Sequence, residues 1–376
     1  MIEIREVKTK SQLRTFIDYP VKLYRDNPYF TPYIYEDEVS NLTPSKNPAS
    51  RYCDFKLFLA YKDGKVAGRI CAIINRYANT KYHQKRIRFN RIDMIDDIEV
   101  TKALIGAVEK FGKENGLEEI NGPLGYSDQD KEGLLTHGFD KHNMFATFYT
   151  HPYYVEHLAK LGFVEDAVWK EYRIYMPEKP DEKLQKIAAF TAKKYDLHMA
   201  KIKSKRRKDI HHYVRQVLDL TNRAYKDLYG YVPIEEDLMD HLADQYIPMI
   251  NLDYLIVVCD ANEKVVGFGL SIPSPVFALK KSKGHLFPFG FIRFFRALKT
   301  AKVLDMFLIA VEPELKNAGI VTMIFAEAVN NAVKNGVQYA ETGPELEDNT
   351  SVQALWKIFR TEQHKRRACF LKKIDV

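Results

Sequence analysis

The sequence predicts an α/β (α+β) chain of two tandem units, each a mixed, mainly antiparallel sheet flanked by helices. Three observations predict it. At 376 residues the chain exceeds one ordinary core, since domains run to roughly 150 residues. Hydrophobic residues make up 46% and charged residues 28%, with no polar low-complexity tract, so the chain can bury a core throughout. Finally, one series of elements occurs twice in the same order.

That series opens with DFKLFLAYKDGKVAGRICAIIN, two alternating β-rich runs about an Asp-Gly turn, which reads as a hairpin. DYLIVVCDANEKVVGFGLSIP reads the same way in the second half, where KVVG (264–267) repeats KVAG (65–68). Next, VTKALIGAVEKFGKENG and IVTMIFAEAVNNAVKNG both have helical periodicity and end on a glycine suited to a C-cap, Gly116 and Gly336. A short strand follows each, LEEI or VQYAET, and then a Gly-Pro pair, Gly122-Pro123 or Gly343-Pro344. The helix-end glycine precedes that pair by 6 residues in one half and 7 in the other, but the hairpin glycine precedes it by 54 and 76. The second half therefore carries 22 more residues, placed in PSPVFALKKSKGHLFPFGFIRFFRALKTAK. There Phe291, Phe294, Phe295 and Leu298 fall at i, i+3, i+4 and i+7, the stripe of a helix packed on a core, with a lid or membrane-contacting helix as the alternative. The charged, proline-bearing MPEKPDEK (176–183) divides the chain into units 1–176 and 177–376.

Composition removes several classes of function. The N-terminus lacks a signal-type apolar core and no run approaches the roughly 18 apolar residues of a membrane span, so a cytoplasmic protein is expected. Cys53, Cys71, Cys259 and Cys369 have neither CxxC spacing nor nearby histidine pairs, which argues against a disulfide framework or a zinc site; no metal is expected. The net charge of +7 is a mild excess, concentrated in KIKSKRRK (201–208), LKKSK (279–283) and HKRR (364–367), each read as a solvated face or strand end.

The sharpest local signal is VEPELKNAGIVTMIF (311–325), an apolar strand entering a glycine turn and a helix whose first amides form an anion site. Hairpin, third strand, glycine turn, helix and further strand together resemble the GNAT acyl-CoA transferase fold. That family's turn carries Q/R-x-x-G-x-G/A and its amides bind the pyrophosphate of CoA. Lys316, Asn317, Ala318, Gly319, Ile320 and Val321 occupy it here, preceded by Val311-Glu312-Pro313-Glu314, which resembles the common strand exit V-x-P-E. Val321 departs from the pattern, putting a branched side chain where the family keeps Gly or Ala. LEDNTSVQALWKIF resembles the family's N-x-x-A-x-x-L-Y region, with Asn349 matching its Asn and Trp356 standing where many members have a Tyr that protonates the departing thiolate. In the first half DMIDDIEV replaces the glycine turn with Asp96, Asp97 and Glu99, so nucleotide binding is assigned to the second half. Over most of residues 20–372 the chain resembles bacterial tandem-GNAT proteins, an architecture also found in mycothiol synthase, N-myristoyltransferase and the FemABX aminoacyltransferases.

The resemblance implies an N-acyltransferase using acetyl-CoA or another acyl-CoA as co-substrate, with a small amine or amino-acid-like acceptor. The alternatives are a GNAT-fold pseudoenzyme or ligand-binding protein and, more weakly, a FemABX-like aminoacyltransferase. Only the last would involve nucleic acid, as tRNA. Acyl transfer needs a base for the amine proton, and Asp305 is the one charged residue inside VLDMFLIAV. Glu345 and Glu347 stand at the strand exit where GNATs bind acceptors. Tyr229 and Tyr231, in LYGYVP, follow a helical stretch resembling the fold's first helix, whose loop commonly walls the acceptor site.

Overall fold

A computed structural model describes residues 1–374. The first half runs β1 (Ile2–Glu6), α1 (Lys10–Leu23), α2 (Tyr35–Asn41), β2 (Cys53–Lys62), β3 (Lys65–Asn75), α3 (Arg76–Lys81), β4 (Arg86–Met94), α4 (Ile98–Glu114), β5 (Glu119–Gly122), β6 (Leu134–His137), α5 (Tyr153–Lys160) and β7 (Val164–Tyr175). The second runs α6 (Glu182–Tyr195), β8 (His198–Met199), α7 (Arg207–Tyr225), α8 (Glu236–Tyr246), β9 (Leu255–Cys259), β10 (Val265–Pro273), α9 (Val276–Ser282), α10 (Gly290–Thr300), β11 (Val303–Val311), α11 (Ile320–Lys334), β12 (Tyr339–Thr342), β13 (Glu345–Leu346), α12 (Thr350–Leu355) and β14 (Thr361–Lys373).

Local chemistry explains the boundaries. Asp63 and Gly64, both at positive φ, close the β2–β3 hairpin as the Asp-Gly pair requires. Asp97 and Asp181 cap α4 and α6 by accepting from the amides of Glu99 and of Lys183 and Leu184. The 22 additional residues of the second half form α9 and α10, where the first half has only α3.

All fourteen strands join one sheet, ordered β1-β2-β3-β4-β5-β14-β7-β12-β11-β10-β9-β8, with β13 beside β7 and β6 beside β14. Among the described residues only β4–β5 and β11–β12 pair in parallel; the other pairs are antiparallel. The last strand of each half crosses over. β7 pairs with β12 and β13 of the second half, and β14 pairs with β5 and β6 of the first, while β7 and β14 pair with each other. The connection after residue 176 thus leaves a strand whose partners all belong to the second half's sequence. Helices cover both faces of the second half: α7 and α8 pack on Val257, Cys259 and Phe268, and α6 and α11 on Ile256, Val258 and Val266. The alternation along β9 sends consecutive residues to opposite faces. No helix is long and apolar enough to cross a membrane, among the described residues.

Candidate active site

Strands β11 and β12 pair for four residues, Val303–Met306 against Tyr339–Thr342, and then separate. The cause is a bulge: Leu270 pairs with Leu308 and Ser271 with Met306, leaving Phe307 as the extra residue of β11. Beyond it the β11 edge facing β12 has no strand partner among the described residues, and the chain continues to the glycine turn. Gly319 caps α11 at φ +86, a conformation natural to glycine, and the first amide of α11 with a backbone acceptor is that of Thr322, bonded to the Gly319 carbonyl. The amides of Gly319, Ile320 and Val321 have no backbone acceptor among the described residues. Lys316 and Asn317 are exposed beside them and Ala318 is half-buried. Val321 packs with Phe325 and Trp356, which places its branched side chain in an apolar cluster. Val311, at the strand's end, packs under α11. Two α7 side chains fix this end of β11: Arg223 forks onto both oxygens of Glu312 at 3.1 and 3.0 Å, and the Tyr225 hydroxyl donates to the Ile309 carbonyl at 3.0 Å. The same hydroxyl lies 3.4 Å from the Ile309 amide, on the strand edge left open by the bulge.

At the foot of the separating strands lies a buried ionic row. Asp305 on β11, Glu341 on β12 and Arg173 on β7 are in register and share a face. Arg173 donates to Glu341 at 2.7 Å, and Lys365 of β14 reaches both Glu341, at 3.1 Å, and Glu171 of β7, at 3.2 Å. Arg367 also pairs with Glu171 and donates to the Phe148 carbonyl. Burial opposes the charge on Glu341, but Lys365, His364 and Arg173 outweigh it and hold the carboxyl below its ordinary range. Asp305, 1% exposed, forms no ion pair among the described residues; it accepts from Ser274 Oγ at 3.0 Å, and the Lys365 charge only partly offsets its burial. Burial, reinforced by the Glu341 carboxylate, pushes its carboxyl up to about 8. The two carboxyls, opposed in register, are thus shifted in opposite directions, Asp305 upward and Glu341 downward. His364, the bulge residue of β14, is buried and burial pushes its imidazole down to about 4. Both its ring nitrogens lack a hydrogen-bond partner among the described residues, an orphaned polar group beside the row.

The expected acceptor residues divide. The Trp356 indole N–H donates to both oxygens of Glu345 at 3.0 Å, and burial pushes that carboxyl up to about 7. Glu347 is half-exposed and pairs with Lys170 at 3.1 Å, and Asn349 stands at the start of α12. Tyr229 bonds Asp166 and Asn121 and lines a cavity of about 190 Å³ with Arg86 and Arg88 in the first half, away from Asp305. Tyr231 is fully buried, its hydroxyl donating to Asn222 at 2.6 Å, so it is packing. Sequence reading missed Tyr225, Glu341, Glu171 and the buried members of HKRR. The run read as a solvated face has His364, Lys365 and Arg367 in the core, because β14 is central in the sheet. In the first half the Asp97 carboxylate already caps α4, and Asp96 pairs with His157. At the opposite sheet edge His198, Cys259 and Glu263 bring three donor atoms within 4.8 Å of one another, a set the sequence spacing did not reveal.

No family model matches the chain. It is 26% identical over 380 residues to protein YghO of Escherichia coli, covering 99% of this chain and 95% of that one. It is also 26% identical over 306 residues to the bacterial ceramide synthase of Caulobacter vibrioides, covering 80% and 78%. Among solved structures it is similar to a tandem GNAT protein from the clavulanic acid biosynthesis pathway, with a TM-score of 0.57 at 12% identity over 100% of this chain and 99% of that one. A GCN5-related N-acetyltransferase from Sphaerobacter thermophilus gives a TM-score of 0.53 at 9% identity, over 100% and 96%.

Proposed function

We propose, from a chain that has the fold of the tandem GNAT proteins, an acyl-CoA-dependent N-acyltransferase acting on an amine. The carrying observation is Asp305, a buried carboxyl tuned to about 8, set opposite an ionised Glu341 on the strand that leads into the glycine turn. The residues fit the co-substrate: Lys316 and the amides of Gly319, Ile320 and Val321 would hold its pyrophosphate, the Ala318 amide being already given to the Leu315 carbonyl, and when bound it supplies the activated acyl thioester. Once ionised, as pH rises through about 8, Asp305 accepts the amine proton at a carboxylate oxygen. Glu341, fixed by Lys365 and Arg173, stays charged and favours that transfer. Tyr225, whose hydroxyl is pushed up to about 12 by burial, keeps its proton at the open edge of β11 and is placed to give it to a departing group, a role the Trp356 indole cannot take. The acceptor is read as a small amine or amino-acid-like molecule from the resemblance; the Caulobacter relative, a ceramide synthase, favours a long-chain amine instead, since a ceramide is an N-acylated long-chain amine.

One observation favours a ligand-binding pseudoenzyme: Tyr225 already bonds both polar groups of Ile309. Calorimetric titration with CoA, paired with thiol release from acyl-CoA over an amine panel, separates the readings. The enzyme reading requires CoA binding weakened by Lys316→Glu together with amine-dependent thiol release. Binding without release supports the pseudoenzyme, and no binding ends both.

A further inference from the structure

The α9–α10 insertion carries an outer surface that neither the fold nor the acyl-transfer chemistry explains. Every exposed phenylalanine among the described residues except Phe190 lies on it: Phe277, Phe287, Phe289, Phe291 and Phe295, joined by Ile292. Phe287 and Phe289 are 70% and 68% exposed, so these rings are offered to solvent rather than tucked at a rim. The helical stripe expected to pack on the core therefore divides. Phe294 and Leu298 are buried with Leu279 and Ile272, while Phe291 and Phe295 turn outward. A monomer seldom exposes so many large apolar groups together without a partner for them.

The charges around the rings say what that partner is. No Asp or Glu occurs between Glu263 and Asp305, whereas Lys280, Lys281, Lys283, Arg293, Arg296 and Lys299 all fall within the insertion. None of these six forms an ion pair with a carboxylate among the described residues. Lys280 is half-buried and donates to the Pro28 carbonyl, but exposed aromatic rings interleaved with the other five cations complement the interface of an anionic bilayer, where rings enter the acyl boundary and cations meet phosphates. At 11 residues α10 is far too short to span a membrane, so it would lie along the surface. We infer that the α9–α10 face docks the protein on an anionic phospholipid surface.

The inner side of the same helices roofs the candidate site. Their buried cluster includes Ile272, in register with Asp305, and touches Phe307, the bulge residue of β11. Docking would place the Asp305 end of the sheet beneath a lipid surface, where an amine carried by a lipid could enter. That last step rests on the acyltransferase reading; the docking does not.

Co-sedimentation of the full chain with vesicles tests it, comparing phosphatidylcholine alone with a phosphatidylcholine–phosphatidylglycerol mixture, in the absence of acyl-CoA. The expected result is binding to the mixed vesicles that salt weakens and pure phosphatidylcholine does not reproduce. Phe287→Ser with Phe289→Ser should lower the partition coefficient roughly tenfold for each ring removed, and Arg293→Glu with Arg296→Glu should abolish charge selectivity. All four side chains are exposed, so circular dichroism should be unchanged. The inference is overturned if the wild type stays in the supernatant, if either double variant binds like wild type, if RNA rather than vesicles is retained, or if the rings instead hold a lipid-free dimer that the Phe variant dissociates. Because binding is read without turnover, a failed acyltransferase reading leaves it standing, and failed docking leaves acylation of soluble amines untouched.

Discussion

Replacing Asp305 by Asn should remove a specific pH dependence of stability. The wild-type carboxyl moves from an ordinary value of 3.8 in the unfolded chain to about 8 in the fold. A group whose folded pKa is raised favours folding when protonated, so its contribution is whole below about 3.8 and is lost as pH rises towards 8. Across that window the folded state binds the extra proton, and stability falls by about 1.4 kcal/mol for each pH unit. Carried through the window, the loss is on the order of 5 kcal/mol, and relaxation around Ser274 would make it smaller. Asn preserves the volume and an acceptor for Ser274 Oγ, yet cannot ionise. Denaturant unfolding of both proteins at several pH values from 5 to 9 would show the wild type losing ground relative to Asp305→Asn until about 8 and then running level with it. Other titrating groups largely cancel in the difference. Curves separated by a constant amount at every pH would refute the assignment of a raised pKa to Asp305, and with it the division of labour between Asp305 and Glu341.

Three further outcomes follow from the same geometry. Lys365→Met leaves the buried Glu171 and Glu341 short of a shared cation and should cost about 3 kcal/mol, seen as a lowered unfolding midpoint; an unchanged midpoint would mean the row is solvated. Tyr225→Phe should lower kcat by roughly tenfold or more while leaving CoA affinity in place, measured by thiol release and calorimetry; a parallel loss of affinity would reduce Tyr225 to a structural strut. Gly319→Ala should cost about 1–2 kcal/mol from its positive φ alone, and its new Cβ would stand 2.7 Å from Thr191 Oγ1. Thr191→Ala in that background should recover the packing part of the stability in a thermal melt, and a CoA defect that survives the recovery belongs to the turn itself.

The hairpins, α4 and α11 with their terminal glycines, the glycine turn and the place of Asp305 inside a strand were legible in the sequence because each has a local cause: periodicity, a required φ, or one charge in an apolar strand. The exchange of β7 and β14 was not, since alternation tells a strand which residues share a face and says nothing of its partner. That one gap explains the misread HKRR run, whose cations look like a surface until β14 is placed in mid-sheet. It also hid Glu171 and Glu341, which become partners only through Lys365. Tyr225 was passed over for Tyr229 and Tyr231 because all three sit in one tyrosine-rich stretch, and only the unpaired edge of β11 tells them apart.

Amine-dependent release of thiol from acyl-CoA, followed against pH in the wild type and in Asp305→Asn, tests the central claim most directly. The panel should include soluble amines and a long-chain amine in mixed phosphatidylglycerol vesicles. The account predicts a wild-type rate that climbs with pH and breaks near 8, and an Asn variant slower by roughly 10²–10⁴-fold and without that break. No amine-dependent release from any acceptor, or a variant that matches the wild type in rate and pH profile, would contradict it.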